Sequence, residues 1–333
     1  MSLEVVDYNN INKREWSDFV INHSWGTIFQ TPEMYMVYEH TSHNTPLVVG
    51  VCKDGKLVGV LLAVIITNGN KFLTPITARS IIIGGPLVED NNPDIINFLF
   101  KEYKKVLPWY VVYSEIRPIY NIDLLAETLK DNKFIRDGHY NIFLNVTKSK
   151  DDLWQQMHKE RKRNVNQAEK AGLVFKEVIE EDEINQIINL INLTYQRKRV
   201  PMSYEDIFVQ AKEYLQDSVK YFAAYYEDKM VAGQVRLCYK DLVYAWFAGS
   251  DSDYFKLRPN DFIMWNVIVW SHINGYKIFD FGGGGKPGVP YGVRDYKMKY
   301  GCEIEDFGRY IYKHRPITYK LGEMAIKLIK KDK

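Results

Sequence analysis

Two stretches of the chain repeat one order of patterns. In "PLVVGVCKDGKLVGVLLAVI" apolar runs flank Lys53-Asp54-Gly55-Lys56, which predicts two strands joined by a tight hairpin. "ARSIIIGGPLVED" reads as a strand ending at a glycine pair. "DIINFLFKEYKKV" has the apolar spacing of an amphipathic helix, and "WYVVYSEIRP" is again a strand. Further along, "VKYFAAYYEDKMVAGQVRLCYKD" predicts a second hairpin turning at Glu227-Asp228-Lys229, and "LVYAWFAGS" a strand reaching Gly249. "NDFIMWNVIVWSHING" follows as a helix closed by Gly275, and "YKIFDFGG" as the next strand. Gly59 and Gly233 sit at matching hairpin positions, an offset of 174 residues. The pattern predicts one mixed α/β module used twice, over 1–147 and 148–333.

The joint falls in "NVTKSKDDLWQQMHKERKRNVNQAEKAG". Ser149 reads as an N-cap with Asp151 and Asp152 in an acidic first turn, so a connecting basic helix is expected over 150–171, ended by Gly172. Trp154, Met157, Arg161, Val165 and Ala168 recur at spacings of three and four. Arg161 therefore interrupts an apolar stripe and is directed toward the protein, to a structural or a substrate partner, while Lys159, Arg163 and Lys170 lie on another face. The next helix, "DEINQIINLINLTYQRKRVP", buries Ile184, Ile187, Ile188 and Ile191 and releases Arg197, Lys198 and Arg199 at its C-terminal end. Cations there offset the helix dipole, and an arginine fork also matches a phosphate or carboxylate, so both readings stand. In the C-terminal helix "ITYKLGEMAIKLIKKDK", Leu321, Met324, Ala325 and Leu328 share a face flanked by lysines. That face fits packing on the body or peripheral contact with a membrane.

Composition narrows the classes. The chain has 333 residues, 46% hydrophobic and 26% charged, which is globular and long enough for two domains at roughly 150 residues each. A net charge of +2 excludes the broad basic field of a general nucleic-acid binder. No basic leader with an apolar core opens the chain, and no apolar run reaches the roughly 20 residues of a membrane span, so a cytoplasmic protein is expected. Cys52, Cys238 and Cys302 show no CxxC spacing, which argues against a disulfide framework or a zinc site. Tyrosine is abundant, 24 residues, and suits either strands or a cleft for polar organic ligands.

Two loops carry candidate chemistry. "SDSDYFKLRPND" leads into the second module's main helix without a glycine, so Lys256 and Arg258 would have to hold an anion by charge, and Asn260 is a candidate cap. "YKIFDFGGGGKPGVPYGVRDYKMKYG" formally contains G-x-G-x-x-G at Gly283, Gly285 and Gly288. Pro287 and Pro290 prevent those glycines from opening a helix, which rules out a dinucleotide turn. Pro287 after Lys286 likewise rules out a P-loop. Gly283 and Gly284 at a strand end permit close approach of a ligand or of another backbone segment.

Taken in order, "GTIFQTPEMY", "IIIGGPL", "VYSEIRP", "LWQQMHKERKRNVNQAEKAGL", "TYQRKR", "YAWFAGS", "LRPNDFIMW", "FDFGG" and "YGVRDYKMKYG" resemble the FemAB/FemX family of peptidoglycan-bridge aminoacyl transferases. The resemblance covers nearly the whole chain. It implies an α/β fold of two tandem GNAT-like modules, each a mixed, mostly antiparallel sheet flanked by helices, with a cleft between them. It implies an enzyme that moves an aminoacyl group from aminoacyl-tRNA to an amine of a cell-wall precursor, without a metal or bound cofactor. The family's aromatic-lysine pair falls on Tyr296 and Lys297, followed by Tyr300 and Gly301. The lysine is implied to meet charge developing on the attacked carbonyl, Arg197 to contact substrate phosphates, and Tyr244 to line the pocket. The pair's aromatic is Tyr rather than Phe, the coiled-coil arm is missing, and Val37, Tyr38 and Glu39 stand after "FQTPEMY", where relatives often have a basic residue.

Amide formation needs a deprotonated amine, for which Asp280, Glu205 and Asp295 are candidate bases, Asp280 lying beside the glycine run. Two rival expectations stand beside the leading one. The first is a CoA-dependent N-acyltransferase acting on an amino sugar or small amine in polysaccharide or envelope synthesis. The second is a binding protein that kept the fold without the chemistry.

Overall fold

The computed structural model describes residues 3–67, 72–199 and 205–331, with side chains up to residue 324 in the last helix. They form two compact units, Met1–Gly138 with Phe307–Lys333, and His139–Asp306.

The first unit holds strands β1 (Leu3–Val6), β2 (Asn44–Lys53), β3 (Lys56–Ile66), β4 (Arg79–Ile83), β5 (Leu87–Val88), β6 (Tyr113–Arg117), β7 (Ile135–Asp137) and β15 (Arg309–Lys313). They run in the order β1-β2-β3-β4-β6-β15-β7, with β5 on β3. Among the described residues of this unit only β4 and β6 are parallel, and they stay paired over all five residues, Arg79↔Tyr113 to Ile83↔Arg117. The helix Pro93–Val106, capped by Asn92, buries Ile95, Ile96, Leu99, Phe100 and Tyr103 in this unit's core with Val51, Leu61 and Ile116.

The second unit orders β8 (Tyr140–Asn145), β9 (Leu173–Val178), β10 (Val219–Tyr226), β11 (Lys229–Tyr239), β12 (Leu242–Ser250), β13 (Ile278–Gly283) and β14 (Glu303–Asp306) as β14-β8-β13-β12-β11-β10-β9. Its central helix, Pro259–Ile273, is apolar nearly all round and joins the core with Phe222, Val243 and Phe279, as such a helix must. Helix Glu181–Arg197 packs on β11 and β12 with Ile184, Ile187, Ile188 and Ile191 buried, as its periodicity predicts.

The tandem α/β reading holds, but its seams lie elsewhere than at 147/148. β8 belongs to the second unit because it pairs with β13 and β14, and the chain from Phe307, with the helix Pro316–Lys331, returns to the first because β15 inserts between β6 and β7. The connecting helix also divides. Lys150–Gln156 ends at Met157 with ψ 138°, and a new helix, Lys159–Lys170, starts at His158, whose imidazole accepts from the Glu160 amide at 3.3 Å. The expected stripe of Trp154, Met157 and Arg161 crosses this break.

Superposing the hairpins by their turns gives an offset of 173 rather than 174, since Lys53↔Lys56 corresponds to Tyr226↔Lys229. Gly59 and Gly233 are thus one residue out of register and face opposite sides of their sheets, Gly59 toward Ile95 and Gly233 toward Ile187. Gly233 pairs with Gly249, and together they seat helix Glu181–Arg197 against the sheet. A Cβ at Gly249 would lie 2.3 Å from the Ile191 nitrogen and 2.4 Å from the Leu190 carbonyl oxygen, both backbone atoms that cannot rotate away. Gly249→Ala should therefore cost about 1–3 kcal/mol or more in chemical denaturation, and a variant of unchanged midpoint would contradict this seating.

Candidate functional site

The two units differ where their parallel strands meet. In the second, β12 and β13 pair only at Leu242↔Ile278, Val243↔Phe279 and Tyr244↔Asp280, after which they part. The cause is local. Pairing of β11 with β12 runs from Val235↔Phe247 to Arg236↔Ala245, leaving Trp246 as an extra residue, and such a bulge bends its strand. Arg236 fastens the bulge. Its guanidinium, 1% exposed, donates to the carbonyls of Val235 at 3.0 Å and Phe247 at 3.2 Å and to the Gln234 amide oxygen, and lies 5.6 Å from the Phe279 ring centroid. Burial pulls it down to about 9, and its Nε has no hydrogen-bond partner.

On the other side of the parting, β13 would be left with unpaired carbonyls. The Gly284 amide donates to Tyr140 on β8 at 2.6 Å, so across that trans peptide the Gly283 carbonyl faces away from β8. Lys297, from the short helix Gly292–Met298, fills this gap, its ammonium donating to the carbonyls of Phe281 at 2.6 Å and Gly283 at 2.8 Å. Burial lowers Lys297 to about 8, with Asp280 opposing that shift and Arg236 adding to it. Asp280 is 3% exposed and accepts from the Gly282 amide at 2.6 Å. Burial raises it to about 6 against the opposing pull of that amide and of Lys297. Tyr244 pairs with Asp280 across the strands, and its hydroxyl borders the bare α-carbon of Gly282, φ 75°. One parting thus gathers a buried cation, a partly buried one, a buried carboxylate and a tyrosine.

A second cluster stands beside it. Arg161 is buried as its stripe position predicts, and it donates to Asp261 in the first turn of helix Pro259–Ile273. Asp261 also accepts from Asn164 at 2.7 Å and from the Tyr300 hydroxyl at 3.0 Å. The Tyr296 hydroxyl lies 2.9 Å from that of Tyr300, and the Arg161 guanidinium lies 4.7 Å from the Tyr296 ring centroid. Burial pushes both phenols upward, so they remain protonated donors.

The other expected residues separate from these clusters. Arg197 lies over the Phe255 ring at 4.9 Å and donates to the Ser250 carbonyl at 3.4 Å, at the far end of β12, and Lys198 is an exposed helix C-cap. Gly284 packs against Ile142 and Tyr140, so close backbone approach accounts for it. Glu205 and Asp295 are exposed, leaving Asp280 as the buried member of the three candidate bases. Asn260 does not cap its helix: Arg258, φ 61°, holds the N-cap position, while Asn260 donates to the Ser250 hydroxyl at 3.0 Å. Cys52, Cys238 and Cys302 are free thiols. Arg236 and Asp261 were missed from sequence. A charged residue inside the apolar run "MVAGQVRLCY" was the available signal for the first.

Residues 155–298 match the family described as an acetyltransferase (GNAT) domain. No curated protein matches the chain. Among solved structures, that of FemX superposes with a TM-score of 0.74 at 15% identity, covering 96% of this chain and 99% of FemX. The tandem GNAT protein from the clavulanic acid biosynthesis pathway, solved without AcCoA, gives 0.59 at 9% identity over 94% and 99%. The L-PGS from Bacillus licheniformis gives 0.53 at 14% identity over 78% and 83%. The chain has the tandem-GNAT fold shared with FemX, and the matched domain supports acyl transfer as its chemistry.

Proposed function

We propose that this chain is a FemX-like acyltransferase that forms an amide on an amine of a cell-envelope precursor. Its reacting centre lies where β12 and β13 part. The observation that carries this reading is Lys297, an ammonium lowered toward neutrality and held on two β13 carbonyls beside a buried carboxylate. In the step, the amine nitrogen attacks the acyl carbon, forming C–N and breaking the bond to the donor's oxygen or sulfur. Negative charge builds on the carbonyl oxygen, where a preset cation lowers the barrier. Asp280 takes the amine proton, and the leaving group acquires one in turn. Tyr244, at the same parting, lines the acyl group's path.

Catalysis by this pair requires Asp280 ionised and Lys297 protonated. Asp280 is raised to about 6 and Lys297 lowered to about 8, so kcat/KM should rise through about pH 6 and fall through about pH 8. A rate still climbing well above pH 8 would remove the ammonium from the mechanism.

Two donors fit the fold. Aminoacyl-tRNA is favoured by the glycine-free turn before helix Pro259–Ile273 and by Asp261 in its first turn, a poor cradle for pyrophosphate. Acyl-CoA is favoured by the GNAT domain match. Thermal shift with acetyl-CoA and with charged tRNA decides between them, since a ligand at about 100 times its Kd adds roughly 2.7 kcal/mol of stability. Stabilisation by acetyl-CoA alone selects an N-acyltransferase of small amines. Silence from both sets aside the tRNA and CoA donors and favours a binding protein. Arg197 and Lys198 are proposed to serve the substrate's phosphates rather than the reacting centre.

A further inference from the structure

The C-terminal helix presents its apolar stripe to solvent. Tyr319 seats the helix by an edge contact with Tyr113 at 5.2 Å. Ile317, Leu321 and Met324, spaced as one helical face, are 80%, 61% and 53% exposed, so of the two readings open for this face, packing on the body does not hold at Leu321 and Met324. Ala325 and Leu328 lie outside the residues whose side chains are described. The stripe is not alone. The helix Thr74–Thr77 contacts it, with Arg315 donating to the Pro75 carbonyl, and brings Phe72, 93% exposed, and Ile76 to the same region. Trp109, 76% exposed, lies 5.8 Å from the Arg315 guanidinium.

Charge accompanies this apolar surface. From residue 313 onward the sequence has Lys313, Arg315, Lys320, Lys327, Lys330, Lys331 and Lys333 against Glu323 and Asp332, in a chain whose total net charge is only +2. Exposed tryptophan and aliphatic side chains bordered by lysines are what an interfacial helix offers to anionic headgroups. No helix among the described residues is long and apolar enough to cross a membrane, so the helix would lie on the surface. We propose that this face, built from Phe72, Ile76, Trp109, Ile317, Leu321 and Met324, docks the protein on an anionic lipid surface. The proposal rests on the first unit and is independent of the reacting centre assigned above.

The test is co-sedimentation of the full chain with phosphatidylglycerol/phosphatidylcholine vesicles and with phosphatidylcholine alone. Binding should require the anionic lipid and weaken with salt. Both Ile317→Asp/Leu321→Asp and Lys320→Glu/Lys327→Glu should reduce partitioning on the order of tenfold or more without moving the melting temperature, whereas Lys297→Met should leave it unchanged. Failure of the wild type to sediment with anionic vesicles at low salt would overturn the proposal. So would equal binding to both vesicle types, or a dimer in sedimentation velocity that Ile317→Asp/Leu321→Asp dissociates while vesicles remain unbound.

Discussion

Replacing Lys297 with Met is expected to lower kcat by about 10²–10³ with little change in KM, the signature of a group that acts on charge present only in the transition state. The ammonium uses two donors on Phe281 and Gly283, which leaves a third for an oxygen brought into the parting of β12 and β13. Met also orphans those carbonyls, at about 1–3 kcal/mol each, so a loss of stability will accompany the loss of rate. Lys297→Arg separates the two effects. A guanidinium can still serve both carbonyls and restore the melting temperature, but its charge is spread over a larger plane and displaced, so most of the rate should stay lost. Full activity in the Arg variant would make Lys297 a bracing residue only.

Asp261→Ala is expected to cost about 3–5 kcal/mol, a fall in melting temperature on the order of 10 °C. Asp261 accepts from Arg161, Asn164 and Tyr300, and its removal leaves the Arg161 guanidinium, 8% exposed, with the partly exposed Glu160 carboxylate at 2.6 Å as its one remaining acidic partner among the described residues. The same reasoning makes the pair dispensable when both charges leave together. Arg161→Met with Asp261→Leu should recover much of the loss, because no uncompensated charge then remains buried. A double variant as unstable as the sum of its singles would mean that the two residues do not act as a pair.

The sequence revealed the elements but hid some of their partners. Hairpins, the strand up to Gly249 and the helix closed by Gly275 were legible because period-two and period-3.6 patterns are local and their turns are marked by glycine and aspartate. The unit boundaries were not, since β8 and β15 join sheets through pairing with residues far away in the chain. Of the candidate site, Lys297, Tyr296 and Tyr300 came from a family resemblance, and Arg161 from its place in an apolar stripe. The partner Asp261 could not be read, because an acid in a helix's first turn has an ordinary explanation in the helix dipole. Nor could Arg236 or the Trp246 bulge that parts β12 from β13, for a bulge changes pairing without changing the alternation enough to mark it. The mirror error concerned Gly59 and Gly233, whose apparent equivalence vanished with a one-residue shift.

The central claim is that the parting of β12 and β13 is where an acyl group meets an amine. The direct measurement is product analysis by mass spectrometry after incubating wild type and Lys297→Met with charged tRNA or acetyl-CoA and an amine panel that includes UDP-linked muropeptide. The prediction is an amide product from the wild type and at least about a hundredfold less from folded Lys297→Met. Product formed by Lys297→Met at the wild-type rate would contradict it.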